Sequence, residues 1–215
     1  MVGIVADPPL LTLSQALAMD SSVLFVISAP SGGGKTTLIA RLTALFPDMA
    51  YSVSCTTRTP REGEVDGEDY YFLATHRFRQ MIDEGEFLEW KEVHGNLYGS
   101  PAGPVRRCLE SGQPMIMDID VEGAKEVFLK MPDAVGIFIS PPDMTVLEER
   151  LRGRGTDSEE VITRRITNAK DELAAAKLFK YQVENRHLEE TVDQLAAIIR
   201  NELARSKGPI QGPSQ

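Results

Sequence analysis

The chain has 215 residues, 42% of them hydrophobic, enough to bury one substantial core, so the expected organisation is one domain or a domain carrying an insert. Its 23 Lys and Arg against 32 Asp and Glu leave a net charge of −9, which opposes a long polyanionic partner, because nucleic-acid affinity comes from many cations neutralising phosphates. No apolar run reaches the roughly 18 residues of a membrane span, residues 1–20 lack the Lys or Arg of a targeting peptide, and two distant cysteines form no disulfide framework. The expected setting is therefore cytoplasmic, with neither nucleic acid nor membrane as partner.

Residues 1–20 hold adjacent prolines and a weak apolar pattern and are set aside as an N-terminal extension. The first clear element is the apolar run 23–28 (VLFVIS), a short strand buried on both faces. A glycine cluster follows, and then Leu38, Leu42 and Leu45 recur at helical spacing until Pro47 stops the pattern. From residue 51 the texture changes to short strand-like pieces (YSVS, YYFL, FLEWKEV), a helical stretch after Thr75, and turns at Glu62-Gly63 and Gly95-Asn96. This reads as an insert spanning 51–104, ending in a loop, SPAGP, that carries two prolines. Apolar strands return at 115–119 (MIMDI) and 135–139 (VGIFI), with helices alternating between them. Such alternation predicts an α/β fold, a parallel sheet flanked by helices whose ligands collect at the carboxyl ends of the strands. Beyond Ser158, residues Ile162, Ile166, Ala169, Leu173 and Ala176 trace one face of a long amphipathic helix, and Asp157 with Glu160 has capping-box spacing. The segment 206–215 has too little apolar surface to pack and is expected to be mobile.

The strongest local signal is SAPSGGGKTT at 28–37, between a strand and a helix where a phosphate cradle requires it. Gly32, Gly33 and Gly34 let backbone N–H groups converge on phosphate oxygens, flanked by Ser31 and Thr37. Lys35 reaches the β- and γ-phosphates of a nucleoside triphosphate, and Thr36 offers a hydroxyl to Mg²⁺. Ala29 stands where the common pattern begins with glycine. In the insert, Arg58 and Arg61 beside Tyr70 suit a clamp on a phosphate, since Arg presents paired donors to its oxygens; solvated surface arginines are the competing reading. Asp118 and Asp120 close the strand MIMDID on one face, near where such a cradle keeps an acid by the metal, or else cap the following helix. Arg150, Arg152 and Arg154 surround Gly153 and Gly155, a pattern of hinge and cations, and Arg164 and Arg165 return on the next helix. The three histidines show no ligand spacing and are assigned to the surface.

In this order the motifs SAPSGGGKTT, VSCTTRTPREGEVDGEDYYF, FLEWKEVHGNLYGS, MDIDVEGA and RLRGRGTDSEE resemble the guanylate kinase family from about residue 23 to 205. The resemblance implies a P-loop NTPase fold with an inserted, mixed α+β GMP-binding region and a helical lid near 150–170. It implies ATP and GMP as substrates, with Mg²⁺, and leaves use of dGMP and the choice between monomer and homo-oligomer open. Arg58, Arg61, Tyr70 and Tyr98 would hold the GMP phosphate, and Ser54, Glu89, Ser100 and Asp120 would surround the guanine. ATP would meet residues 31–37, Arg150, Arg154 and, on a looser match, Asn185. Lys35, Arg58, Arg150 and Arg165 would serve catalysis, with the metal near Thr36 and, through water, Asp118. The acids suit guanine, whose N1–H and N2 amino group are donors; adenine would leave them buried and unpaired. Two rivals stand beside this: a kinase for another phosphorylated acceptor, and a non-catalytic interaction module of the same fold.

Overall fold

A computed structural model describes residues 22–153 and 158–206. The N-terminal extension, Arg154, Asp157 and residues 207–215 lie outside the described residues. The chain opens with β1 (Leu24–Ser28), α1 (Lys35–Leu45) and β2 (Ala50–Tyr51), and its middle forms β3 (Cys55–Thr56), β4 (Tyr71–Phe72), α2 (Thr75–Asp83), β5 (Phe87–Val93) and β6 (Asn96–Pro101). Then α3 (Ala102–Glu110), β7 (Met115–Asp118), α4 (Val121–Lys130) and β8 (Val135–Ser140) alternate, followed by α5 (Met144–Arg152), α6 (Glu159–Ala174), β9 (Tyr181–Glu184) and α7 (Leu188–Ser206).

Five strands make one sheet in the order β2-β7-β1-β8-β9, parallel throughout. Every residue of β1 is buried, and the pleat divides them. Phe25 and Ile27 join Leu38 and Leu42 of α1 and Val192, Leu195 and Ile199 of α7 on one face, while Leu24 and Val26 join Val105 of α3 and Val121, Ala124 and Val127 of α4 on the other. Each fully buried side chain of this kind contributes about 1.5–3 kcal/mol, so the sheet is fixed from both sides. Its three central strands match the predicted runs to within a residue. β9 was not foreseen, because YQVE sits at the sheet edge with only Val183 buried.

The second sheet, β4-β3-β6-β5, is mixed: β3 pairs parallel with β4 and antiparallel with β6, and β5 pairs antiparallel with β6. Its small core is Cys55, Phe78, Met81, Phe87 and Leu97, with the rings of Phe78 and Phe87 stacked 4.4 Å apart. Three details correct the sequence expectations. The piece YSVS is no strand of the insert: Tyr51 pairs with Ile116 of the core sheet and Ser52 N–H donates to Ile116 O at 2.9 Å, so the core reaches that far. The β5–β6 turn is centred one residue early, on His94 and Gly95, both left-handed at φ 51° and 78°, the geometry that matches strand twist in a two-residue hairpin. SPAGP is no loop, since β6 runs through Pro101 straight into α3, where Pro104 falls in the first turn and its missing N–H costs nothing.

On the remaining arm, Leu147, Leu151 and Ala169 join α5 to α6. The cap of α6 is Ser158, whose Oγ accepts from Val161 N–H, one residue later than the capping-box spacing suggested. Ser206, read as the start of the tail, still closes α7.

Candidate active site

The loop from β1 to α1 is shaped by two left-handed glycines, Gly32 at φ 91° and Gly34 at φ 86°, a region that residues with a Cβ rarely enter. Gly34 caps α1 without any side-chain hydrogen bond, so the first-turn N–H groups and the positive end of the helix dipole face a cavity of about 320 Å³ lined by residues 29–37 with Asp120 and Glu172. Lys35 leans over the carboxyl end of the sheet, donating to Ile119 O at 3.0 Å and pairing with Asp118 Oδ1 at 2.5 Å. Thr36 is exposed at the same cavity.

A second cavity, of about 280 Å³, is lined by Lys35, Ser54, Tyr70, Glu89, Lys91, Val93, Tyr98, Asp118, Ile119 and Asp120. Lys35 and Asp120 line both, so the two open onto each other. At one end sits Glu89, 7% exposed, its Oε1 accepting from Ser100 Oγ at 2.6 Å. Burial raises its carboxyl above the usual range, against the opposing pull of the Ser100 hydrogen bond and of Lys91 and Lys130. Ser54 Oγ lies 3.5 Å from Ser100 Oγ. Asp120 caps α4, its Oδ1 accepting from Gly123 N–H at 2.9 Å, and its Oδ2 contacts the Lys91 ammonium. A methyl group at Gly123 would fall 3.0 Å from Glu89 Oε2, so both acids crowd the same helix N-terminus, where negative charge is favoured.

At the other end the Tyr70 and Tyr98 rings meet edge-on at 6.1 Å, with the Arg58 guanidinium 5.5 Å from the Tyr70 ring centre. Glu64 holds Arg58 through two hydrogen bonds of 2.8 and 2.9 Å. That fork, helped by the Arg61 backbone N–H, pulls the Glu64 carboxyl down to about 2. Arg58 is thus held in place beside the tyrosine pair.

These features define a phosphate cradle on a buried parallel sheet beside an acidic, arginine-ended slot on a small mixed sheet. The sequence profile of the family described as guanylate kinase matches residues 21–202. The chain belongs to the guanylate kinase family. Relatives include the guanylate kinases of Trichodesmium erythraeum, 48% identical over 84% of this chain and 97% of that one, and of Geobacter metallireducens, 44% identical over 86% and 91%. A crystal structure of guanylate kinase from Anaplasma phagocytophilum superimposes with a TM-score of 0.68 at 32% identity, covering 85% of this chain and 87% of that chain. The fold, a parallel sheet flanked by helices around a P-loop, is that of the family.

Within this guanylate kinase chain the residues singled out from the sequence fall into three groups. Ser31 through Thr37 gather at the first cavity; Ser54, Tyr70, Glu89, Tyr98 and Asp120 gather at the second, Ser100 and Arg58 directly behind them. Arg61 is exposed on the turn that Glu64 anchors. Arg150 and Asn185 lie instead beneath the cradle. Asn185 is 6% exposed; its Nδ2 donates to Gly33 O at 2.8 Å and its backbone carbonyl oxygen accepts from Arg150 Nη2 at 2.9 Å. Arg150 Nη1 finds no partner among the described residues. Arg165 is half-buried on α6, and Arg152 is taken up by Glu148 and Glu159.

Two site residues escaped the sequence analysis. Lys91 follows Glu89 at strand spacing and so shares its face, a signal that was legible. Glu172 lines the cradle from α6, its Oε2 buried with no hydrogen-bond partner among the described residues. Helical periodicity gives no sign of that placement. Both cysteines are free thiols, and burial pushes that of Cys55 up to about 12.

Proposed function

We propose that this guanylate kinase family member transfers the γ-phosphoryl group of ATP to GMP, yielding ADP and GDP, and that it accepts dGMP at the same slot. The observation that carries the acceptor is the buried Glu89 carboxylate beside Asp120 in a cavity that opens onto the cradle. Two acids side by side match a base edge with neighbouring donors at N1 and N2, while Ser54 can donate to O6. Arg58, Arg61, Tyr70 and Tyr98 take the phosphate at the far end.

Residues 31–37 bind the ATP phosphates through backbone N–H groups, and Lys35 spans the β- and γ-positions. A hydroxyl at Thr36 and a carboxylate at Asp118 are hard oxygen donors suited to a small divalent cation. Phosphate oxygens and water supply most ligands of such a cation. Mg²⁺, the cation we assign, would be held by Thr36 and, through water, by Asp118, and when bound it neutralises charge on the phosphates.

No general base is needed, because a phosphate monoester with a second pKa near 6 is largely dianionic at neutral pH. The protein's work is to align two anions and offset their repulsion. Arg58 holds the attacking phosphate, and Lys35 moves from Asp118 onto the transferred group. Closure of the arm carrying Arg150, Arg154 and Arg165 excludes water. We assign 53–101 as the GMP-binding insert in a kinase domain of 21–205, 150–170 as the lid, and, from the two free thiols, a reducing cytoplasm. A coupled assay with ATP and Mg²⁺ across GMP, dGMP, AMP, CMP and UMP tests the proposal. Turnover confined to the two guanylates is expected, and equal turnover of AMP would overturn it.

A further inference from the structure

β5 and β6 pair with Glu89 opposite Ser100 and Lys91 opposite Tyr98. Side chains two apart on a strand share a face, so Glu89, Lys91, Tyr98 and Ser100 form one wall, with the base end at Glu89 and the phosphate end at Tyr98. Lys91 stands at the Tyr98 level but reaches back to the acid at the base end. Its ammonium contacts Asp120 Oδ2, while Asp120 Oδ1 is committed to Gly123 N–H. Both oxygens of this acid are therefore engaged before a base arrives. Around Lys91 stand Glu89, Glu122 and Glu172, which favour its charge, and Lys35, which with burial opposes it. The side chain keeps 44% of its surface exposed, so it can swing.

We propose that Lys91 is a specificity-determining lock on Asp120, opened by the base and re-used on the acceptor phosphate. This rests on the assignment of GMP as acceptor. A guanine amino group at Asp120 displaces the ammonium, which then swings off Asp120 to the phosphate end, where the strand already sets Lys91 opposite Tyr98. The released cation joins Arg58 there and lessens the repulsion between acceptor and ATP phosphates. Adenine, with no donor at position 2, leaves Lys91 on Asp120, so an AMP phosphate lacks that cation. Base identity and phosphate grip are coupled through one side chain.

The test is equilibrium binding of guanosine and of GMP to the full chain and to its Lys91→Met and Lys91→Arg variants, read by calorimetry or by competition. Removing the lock should tighten guanosine binding about threefold, the size of a partly exposed ion pair. It should also cut the preference for GMP over guanosine about tenfold, since a charge-assisted contact to the phosphate is lost. Lys91→Arg, which keeps the cation, should retain the preference of the unaltered chain. Guanosine binding that is unchanged or weaker in Lys91→Met, or an undiminished preference for GMP, overturns the lock. Turnover of GMP by the unaltered chain is measured alongside. Its absence sinks the acceptor assignment, whereas turnover with an undiminished preference sinks only the lock.

Discussion

The two cavities that meet at Lys35 are built from different materials. In the cradle the recognising atoms are mostly backbone N–H groups, positioned by left-handed Gly32 and Gly34 and by a strand buried on both faces. In the acceptor slot they are side chains, each held by another side chain: Arg58 by Glu64, Glu89 by Ser100, Asp120 by Lys91. The first needs the fold and little else. The second needs a set of polar partnerships that hold one another in place, and it can be retuned one residue at a time without disturbing the core.

The sharpest way to break this contrast is Lys35→Ala. Turnover should fall about 10³-fold for every acceptor, with the protein still folded, because a preorganised cation on the transferred group is lost. Steady-state kinetics and a melting curve check both parts. Glu89→Gln should be narrower. We expect kcat/KM for GMP to drop about 10²-fold as charge-assisted bonds to the base are lost, with KM for ATP unchanged. A parallel loss with ATP would erase the division between the cavities. Asn185→Ala tests whether the cradle depends on its underside. Leaving Gly33 O without its donor should lower the melting temperature by about 2–4 °C and raise KM for ATP several-fold, while KM for GMP stays put.

The smallest effects are in pH. Glu89 has a raised carboxyl and must be ionised to accept from two donors, so KM for GMP should climb as pH falls through that raised value, and Glu89→Gln should flatten the profile. For stability the sign reverses, because this acid holds its proton more tightly in the folded chain. Its contribution declines as pH rises from the unfolded carboxylate value through the folded one. Glu64 behaves oppositely. Depressed to about 2, it favours the folded state above the ordinary value of 4.5 and loses that benefit as pH falls toward 2. Glu64→Gln should remove this acid sensitivity, as read by chemical denaturation between pH 5 and 2.

The core was legible because doubly buried strands are short, continuous apolar runs, and the cradle because glycine enters positive φ without the steric cost of a Cβ. In the insert, periodicity alone placed β5 but missed β6, whose GNLYGS mixes turn residues with one buried Leu97. Pairing with β5 and β3 makes it a strand, and pairing is invisible in a single sequence. The acceptor residues were named through resemblance to a family, not through spacing. Asn185 was named the same way, yet its amide supports the loop from below, a relation across 152 positions that no local pattern encodes. Lys91 was missed although strand alternation from Glu89 pointed at it.

The close approach of Gly123 to Glu89 has a consequence for how such a slot can change. There the core helix and the inserted ribbon are separated by little more than a hydrogen atom, so the depth available to a purine is set by α4 and not by the ribbon that carries most of the contacts. A Cβ at 123 would press the Glu89 carboxylate toward the opening by a few tenths of an ångström, and a longer side chain would press it further. Acceptor choice in this chain thus hangs on a position that bears no functional group of its own.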